Sequence, residues 1–334
     1  MSKLPKVAVI GVGGTITSVS PRGPLDIVDY NANPRRLEAE EFVERFSEVR
    51  AVADVVPIRF KSVPSSMVAF AEWKALVLAA DQAAREHPDL AGIVILHGTA
   101  TLEETAYALN LTAKVGVPIV VTGSQRPASA LSSDAGLNFV NAVRAASSPA
   151  ARGLGVLVCL NDELHAAREV TKTSTGRLQA FRSPDFGVLG HADGDAVSFY
   201  RMPARRGAPD TEFDIRAAES PPRVDIAYAY AGDDGAAVRA FVAAGARGIV
   251  VASLAPGIVT PGEGAALADA VAAGIVVMLS SRVGSGRVFP MTRTREAGYL
   301  VADNLNPQKA RILLSLALLN GQRPPEIERT FATY

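Results

Sequence analysis

The sequence predicts an α/β protein of two domains, each built on a parallel sheet. Three observations predict it. Short runs of apolar residues recur between amphipathic stretches, which is the pattern of strands buried on both faces and joined by crossover helices. Several of these runs end in glycine-bearing turns, as strand ends in open α/β sheets do. Finally, Arg201 to Arg223 holds four Pro, many charges and little apolar content. It divides the alternation in two and reads as an inter-domain linker.

The first strand lies in Lys6 to Ser18, KVAVIGVGGTITS. Val7, Val9 and Ile10 form its apolar run. Gly11, Gly13 and Gly14 then turn the chain, and Thr15 and Thr17 follow. Three readings compete here. A dinucleotide fingerprint needs G-x-G-x-x-G, but Ile16 stands where the third Gly belongs and no acidic residue follows a second strand. A plain structural turn is the second. The third is a Thr nucleophile held beyond the carboxyl end of a strand, where ligands of such sheets bind.

A long polar stretch follows, SVSPRGPLDIVDYNANPRR, in which Pro21, Gly23, Pro24 and Pro34 exclude a long helix. A loop of this length inside a compact domain reads as a lid, and Tyr30 lies within it. Leu37 to Phe46 is expected to be a helix and Val52 to Pro57 a strand. Ser65 and Ser66 sit in a second loop, and Ala71 to Glu86 reads as an amphipathic helix. Gly92 to Leu96 is the next buried strand, ending in His97-Gly98-Thr99-Ala100-Thr101. Thr101 with Glu104 fits a capping box. The free N–H groups and positive dipole end of that helix would then face back over Gly98 and Thr99. Thr99 is thus a second hydroxyl at a second strand end.

Val117 to Thr122 is a third strand, ending in Gly123-Ser124-Gln125-Arg126-Pro127, and a helix is expected from Asp134 to Ala146. Gly153 to Leu160 is a fourth strand. Ala167 to Gly190 is polar and turn-rich and carries Lys172 between Thr171 and Thr173. After the linker the alternation resumes: strand Val224 to Tyr230, helix to Ala243, strand Gly248 to Leu254, helix to Ala272, strand Ile275 to Ser280. Asn306 caps a final helix, with Pro307 at its first position and Gly321 at its stop. Its body, ARILLSLALLN, is apolar on nearly all faces, which suits burial against another element or subunit.

Composition excludes several classes. The chain has 334 residues, 48% of them hydrophobic, enough for two domains and a large core. Its formal net charge is zero, and no basic patch is interleaved with aromatics, so neither nucleic acid nor an acidic membrane surface is expected as partner. One Cys, Cys159, cannot form an internal disulfide, and its apolar setting, VLVCL, reads as core. The four His have no metal-ligand spacing, so neither metal nor cofactor is expected. No apolar run is long enough to span a bilayer. The first strand starts almost at once, leaving no room for a signal peptide, so the cytoplasm is the expected compartment.

Five motifs together resemble one family. GGTIT around Thr15, HGTATLEETAYAL at 97–109, TGSQRPASALSSDAGLNFVNAV at 122–143, REVTKT at 168–173 and LNPQKARILLSLAL at 305–318 are similar to motifs of the bacterial-type L-asparaginase/glutaminase family, in order over nearly the whole chain. The resemblance implies a larger N-terminal domain with a flavodoxin-like parallel sheet (1–205), a linker (206–222) and a smaller C-terminal α/β domain (223–334). It implies a homo-oligomer, dimer or tetramer, with the active site shared across a subunit pair. It makes Thr15 the nucleophile and Tyr30 the lid tyrosine. Thr99 with Lys172 becomes the second hydroxyl and its base. Ser65 and Ser66 become the holders of the substrate carboxylate, in a substrate site that also takes in Gly14, Gly98, Ala100 and Ser124. The implied reaction is hydrolysis of a small amide through an acyl-enzyme, with release of ammonia. Backbone N–H groups near Gly98 would stabilise the oxyanion.

The sequence departs from the family pattern in a cluster. The usual H-G-T-D-T motif reads H-G-T-A-T, with Ala100 in place of the Asp that binds the substrate's α-amino group and partners the lysine. The C-domain stretches aimed at the same amino group read LAPGIVTP (254–261) and FPMTRTREA (289–297), without the family's Asn and with Thr292 nearest its acidic residue. Two substrate readings follow within the family: L-asparagine with altered recognition, or a des-amino amide, cyclic amide or lactone bearing a carboxylate. A ligand-binding homologue without turnover and a nicotinamide-dependent oxidoreductase are the rival classes.

Overall fold

The structure is a computed structural model, and it describes residues 3–32 and 35–334. Pro34, read above as a helix breaker, lies outside the described residues. The chain divides into two compact units, the first ending at Arg216 and the second running Ala217–Tyr334.

In chain order the first unit holds β1 (Lys6–Gly11), β2 (Ser18–Val19), β3 (Arg35–Arg36), α1 (Ala39–Arg45), β4 (Asp54–Ile58), α2 (Phe70–Glu86), β5 (Leu90–Leu96), α3 (Leu102–Thr112), β6 (Ile119–Thr122), α4 (Ala135–Ser147), β7 (Val156–Leu160), β8 (Glu163–Ala166), β9 (Thr171–Lys172), β10 (Phe181–Arg182), β11 (Gly190–Asp193) and β12 (Ala196–Phe199). Eight strands form one sheet in the order β12-β11-β8-β7-β6-β5-β1-β4. The pairs from β4 to β7 are parallel. Taken alone they run second-first-third-fourth-fifth, the flavodoxin-like winding, whose switch point lies between β1 and β5. Both faces of the parallel part are covered, which is why β5 and β7 read as unbroken apolar runs. On one face, Val7, Val9, Val94 and Leu96 join Phe42 of α1 and Phe139 of α4 in a buried cluster. The two rings meet edge-on at 5.1 Å. On the other, α2 and α3 are tied by Trp73 Nε1 donating to Thr105 Oγ1 at 3.0 Å.

The antiparallel extension from β7 through β12 is absent from the sequence reading. Its origin is local. Asn161 and Asp162 both have positive φ, 52° and 64°, between the paired residues Leu160 and Glu163. A two-residue loop of that kind matches the twist of a hairpin and returns the chain antiparallel. Within the polar stretch Ala167 to Gly190, β9 and β10 form a small hairpin of their own, with Lys172 opposite Phe181. The stretch 206–222, read as linker, is not uniform. Its first part packs on the first unit: Ala208 N–H donates to Asn110 O at 2.8 Å, and Phe213 and Ile215 are buried.

The second unit holds β13 (Val224–Tyr228), α5 (Ala236–Ala243), β14 (Gly248–Ser253), α6 (Pro261–Ala272), β15 (Val276–Ser281), α7 (Thr292–Glu296), β16 (Leu300–Val301), α8 (Pro307–Leu319) and α9 (Pro324–Thr333). Its four strands are parallel in the order β13-β14-β15-β16. Asn306 Oδ1 accepts the Lys309 N–H at 3.1 Å, so the cap of α8 stands as read. The all-round apolar character of α8 has an internal cause. It lies against β13, β14 and β15 on one side and α9 on the other, so its burial needs no second subunit.

Candidate active site

The switch point brings the two sequence-predicted hydroxyls to neighbouring strand ends. Beyond β1 the chain does not enter a helix. It makes a single 3-10 turn, Thr15–Thr17, and passes into the lid. There is thus no helix N-terminus there to hold a pyrophosphate, which removes the structural basis of the dinucleotide reading. Gly14 has φ 89°, and a Cβ on it would lie 2.1 Å from Gly98 Cα. Gly98 in turn has room for no side chain, since its Cβ would meet Ser65 Oγ at 2.6 Å. The turns after β1 and β5 and the Ser65 loop are therefore in backbone contact.

Thr15 Oγ1 and Tyr30 Oη are 2.7 Å apart. Tyr30 sits on a 3-10 turn of the lid, Asp29–Asn31, and is nearly buried. The lid is tied down at several points. Asp26 accepts from Ser20 Oγ at 2.6 Å and from the Asp29 N–H at 2.8 Å. Leu131 N–H donates to Pro24 O and Ser20 N–H to Ser129 Oγ, each at 2.8 Å.

At the second strand end, Lys172 Nζ donates to Thr99 Oγ1 at 2.8 Å. Thr99 is buried. Lys172 is partly covered, and burial pushes its pKa below the usual lysine range while the Glu103 carboxylate pushes it back up. Glu103 was missed in the sequence, where Glu104 was paired with Thr101. Its Oε1 accepts from Thr171 Oγ1 at 3.1 Å and from the Lys172 N–H at 3.2 Å. The available signal was its place in the first turn of the helix that follows Thr99.

The capping box on Thr101 does not form. Thr101 precedes α3 without a side-chain cap, and its hydroxyl donates instead to Ser65 O at 2.6 Å. That bond closes the Ser65–Ser66 loop onto the turn of Thr99. Ser65 is half-buried, while Ser66 and Ala100 are exposed. Ser124 is fully buried, and its hydroxyl donates to Arg126 O at 2.6 Å, so it shapes its own turn. His97 is likewise internal. Its Nδ1–H donates to Gly98 O at 2.8 Å, and burial pushes its pKa down to about 4, so it is neutral. In the second unit, 254–261 forms the turn between β14 and α6, and 289–297 contains α7 with Thr292 exposed.

Among the described residues no group of three or more His, Cys, Asp or Glu could hold a metal ion, and no helix is long and apolar enough to cross a membrane.

Comparisons with known proteins place the chain in a family. Residues 6–205 match the family described as asparaginase, N-terminal, and residues 223–331 the glutaminase/asparaginase C-terminal domain. L-asparaginase 2 of Bacillus subtilis is 36% identical, with 99% of this chain and 87% of that protein aligned. The glutaminase-asparaginase of Pseudomonas fluorescens is 37% identical over 100% of this chain and 91% of its own length. The crystal structure of a probable cytoplasmic L-asparaginase from Campylobacter jejuni superposes with a TM-score of 0.90 at 34% identity, covering 99% of this chain and 100% of that one. Fold, motif order and relatives agree, and the chain belongs to the bacterial-type asparaginase family of amidohydrolases, which act on the C–N bonds of linear amides.

Proposed function

We propose that this amidohydrolase hydrolyses a small amide that bears a carboxylate and lacks an α-amino group, through an acyl-enzyme on Thr15. One observation carries the reading. Two hydroxyls stand at adjacent strand ends, each hydrogen-bonded to a group able to handle its proton: Thr15 to Tyr30 at 2.7 Å and Thr99 to Lys172 at 2.8 Å. Thr15 attacks the amide carbonyl, its proton passing to the Tyr30 side. The C–N bond breaks, and the leaving nitrogen takes that proton back from the Tyr30 side and departs as ammonia. Water, deprotonated through Thr99 and a neutral Lys172, then cleaves the ester. Backbone N–H groups at Gly98 and the start of α3 stabilise the oxyanion, with Gly14 and the Ser124 turn shaping the site. Ser65 and Ser66 hold the substrate carboxylate.

The substrate half of the reading rests on Ala100. A buried ammonium needs an anionic partner, because an unpaired charge out of water is costly. Ala100 supplies none, and neither 254–261 nor Thr292 offers a carboxylate in its place. Loss of such a pair is worth roughly 2–5 kcal/mol, or about 1.5 to 3.5 orders of magnitude in affinity. A des-amino amide such as succinamate is therefore expected to be turned over with higher kcat/KM than L-asparagine. The test measures both compounds under one condition, with Thr15→Ala alongside. A higher value for asparagine sinks the substrate reading. Near-normal turnover by Thr15→Ala sinks the mechanism.

The same reading takes 1–205 and 223–334 as the two domains, with 206–222 between them. It has the chain working in the cytoplasm as a homo-oligomer, dimer or tetramer, without nucleic acid or membrane partners.

A further inference from the structure

We propose that Glu103 is the positioning carboxylate of Lys172: it anchors the lysine's backbone and supplies a negative charge close to its side chain, in a site where residue 100 carries none. The inference rests on the proposed role of Lys172 and goes beyond it.

The geometry is specific. Lys172 lies on a strand of two residues, and a hairpin that short has few ladder bonds of its own. Glu103 meets it from the first turn of α3, four residues after Thr99 and three after Ala100. One oxygen, Oε1, accepts both from Thr171 Oγ1 and from the Lys172 N–H. Glu103 is itself buried, so the charge acts through protein and not through water. The other groups around Lys172 are of a different kind. Thr99 offers a hydroxyl, and on the paired strand Phe181 and Arg182 stand opposite Lys172 and Thr171, with Arg182 exposed and donating to Gln179 Oε1.

Two effects therefore oppose each other at Nζ. Burial favours the neutral amine that a general base requires, and the Glu103 charge favours the ammonium. A residue that both fixes the backbone of Lys172 and moderates its charge controls the reaction without touching substrate. It also explains how the lysine remains placed when the neighbouring turn carries Ala100.

The test compares Glu103→Gln, Glu103→Asp, Glu103→Ala and Lys172→Met in the full-length protein. Gln keeps an oxygen for the Lys172 N–H and removes the charge. Asp keeps the charge one methylene back, and serves also if Gln fails to fold. The primary readout needs no substrate: competitive acylation of Lys172 with acetic anhydride across pH, followed by peptide mass spectrometry, gives its titration midpoint. Glu103→Gln is expected to lower that midpoint, with Glu103→Asp closer to the unaltered protein. Coincident midpoints in folded Glu103→Gln, Glu103→Asp and the unaltered protein overturn the proposal. The second readout is turnover of succinamate. Glu103→Gln should move the ascending limb of the pH–rate profile to lower pH, and Glu103→Ala, which frees the backbone as well, should cut kcat about 100-fold, the cost of roughly 1 Å of misplacement. If Lys172→Met keeps near-normal turnover, the role of the lysine is wrong, whatever the acylation midpoints show.

Discussion

Glu263→Gln should make the folded chain less sensitive to a rise in pH from 4.5 to about 7, by an amount that the structure allows to be worked out. Glu263 is the third residue of α6 and is fully buried, and neither carboxyl oxygen has a hydrogen-bond partner among the described residues. Its N–H is held by Thr260 Oγ1 at 3.2 Å, and Tyr299 Oη donates to the next residue, Gly264, at 3.3 Å. Burial, with Asp233 nearby, pushes the carboxyl from 4.5 up to about 7. A carboxyl raised on folding stabilises the fold below its unfolded value, and that contribution is lost as pH climbs through the folded value. Over the gap from 4.5 to about 7, at 1.36 kcal/mol per pH unit, the loss is roughly 3 kcal/mol. Buried neutral His97 works in the opposite sense. Its depression from 6.5 to about 4 makes stability rise with pH across that window, so the two partly cancel in the whole chain. The difference between variant and parent removes the His97 contribution. Urea unfolding followed by far-UV circular dichroism, in half-unit steps from pH 4.5 to 8, gives that difference. It should grow in favour of Glu263→Gln by roughly 3 kcal/mol, mostly below pH 7. A difference that stays flat with pH would falsify the reasoning, because Glu263 would then be ionised in both states or in neither.

Three further outcomes are expected. Gly14→Ala places a methyl into Gly98 at a positive φ, and should cost at least about 2 kcal/mol of stability and most of the activity; an active variant with unchanged melting temperature contradicts the close approach of the two turns. Ala100→Asp adds a carboxylate beside Thr99 and should raise the Lys172 pKa, moving the ascending limb of the pH–rate profile to higher pH; superimposable profiles mean that position 100 does not act on the lysine. Light scattering at micromolar concentration should give a mass at least twice the 34.9 kDa chain, and a monomer alone removes the oligomer from the proposal.

The parallel strands and their helices were legible because each carries its own periodicity. β1, β5, β6, β7, β13, β14 and β15 all fall on apolar runs, with ends that coincide or are displaced by up to three residues. Asn306 and Pro307 marked α8 for a local reason, a side chain reaching its own helix. The antiparallel strands β8, β11 and β12 escaped because they are short and mixed in polarity, and their one clear sign was the Asn161-Asp162 pair. At the site, the roles proposed for Thr15 and Thr99 rest on the family motifs as well, while their strand-end places were legible in the sequence. Glu103 and the true partner of Thr101 were not, because each depends on a contact between segments distant in sequence: Glu103 with Lys172, Thr101 with Ser65. The apolar helix α8 shows a reading the sequence left open. Its composition announces burial but does not name the covering surface, which proves to be α9 and the sheet of its own unit.

The contact of Gly14 with Gly98 has a consequence for how such a chain can change. Because the two turns interpenetrate, neither can be exchanged, lengthened or grafted without the other, and the Ser65 loop must move with them. Variation compatible with folding is thereby channelled to positions that project outward from this shared knot, Ala100 and Ser66 among them. On the function proposed above, a scaffold of this kind would diversify its choice of molecule by single side-chain replacement at the rim, and its reaction chemistry hardly at all. Libraries intended to redirect it should be concentrated on those rim positions, with the glycines held constant.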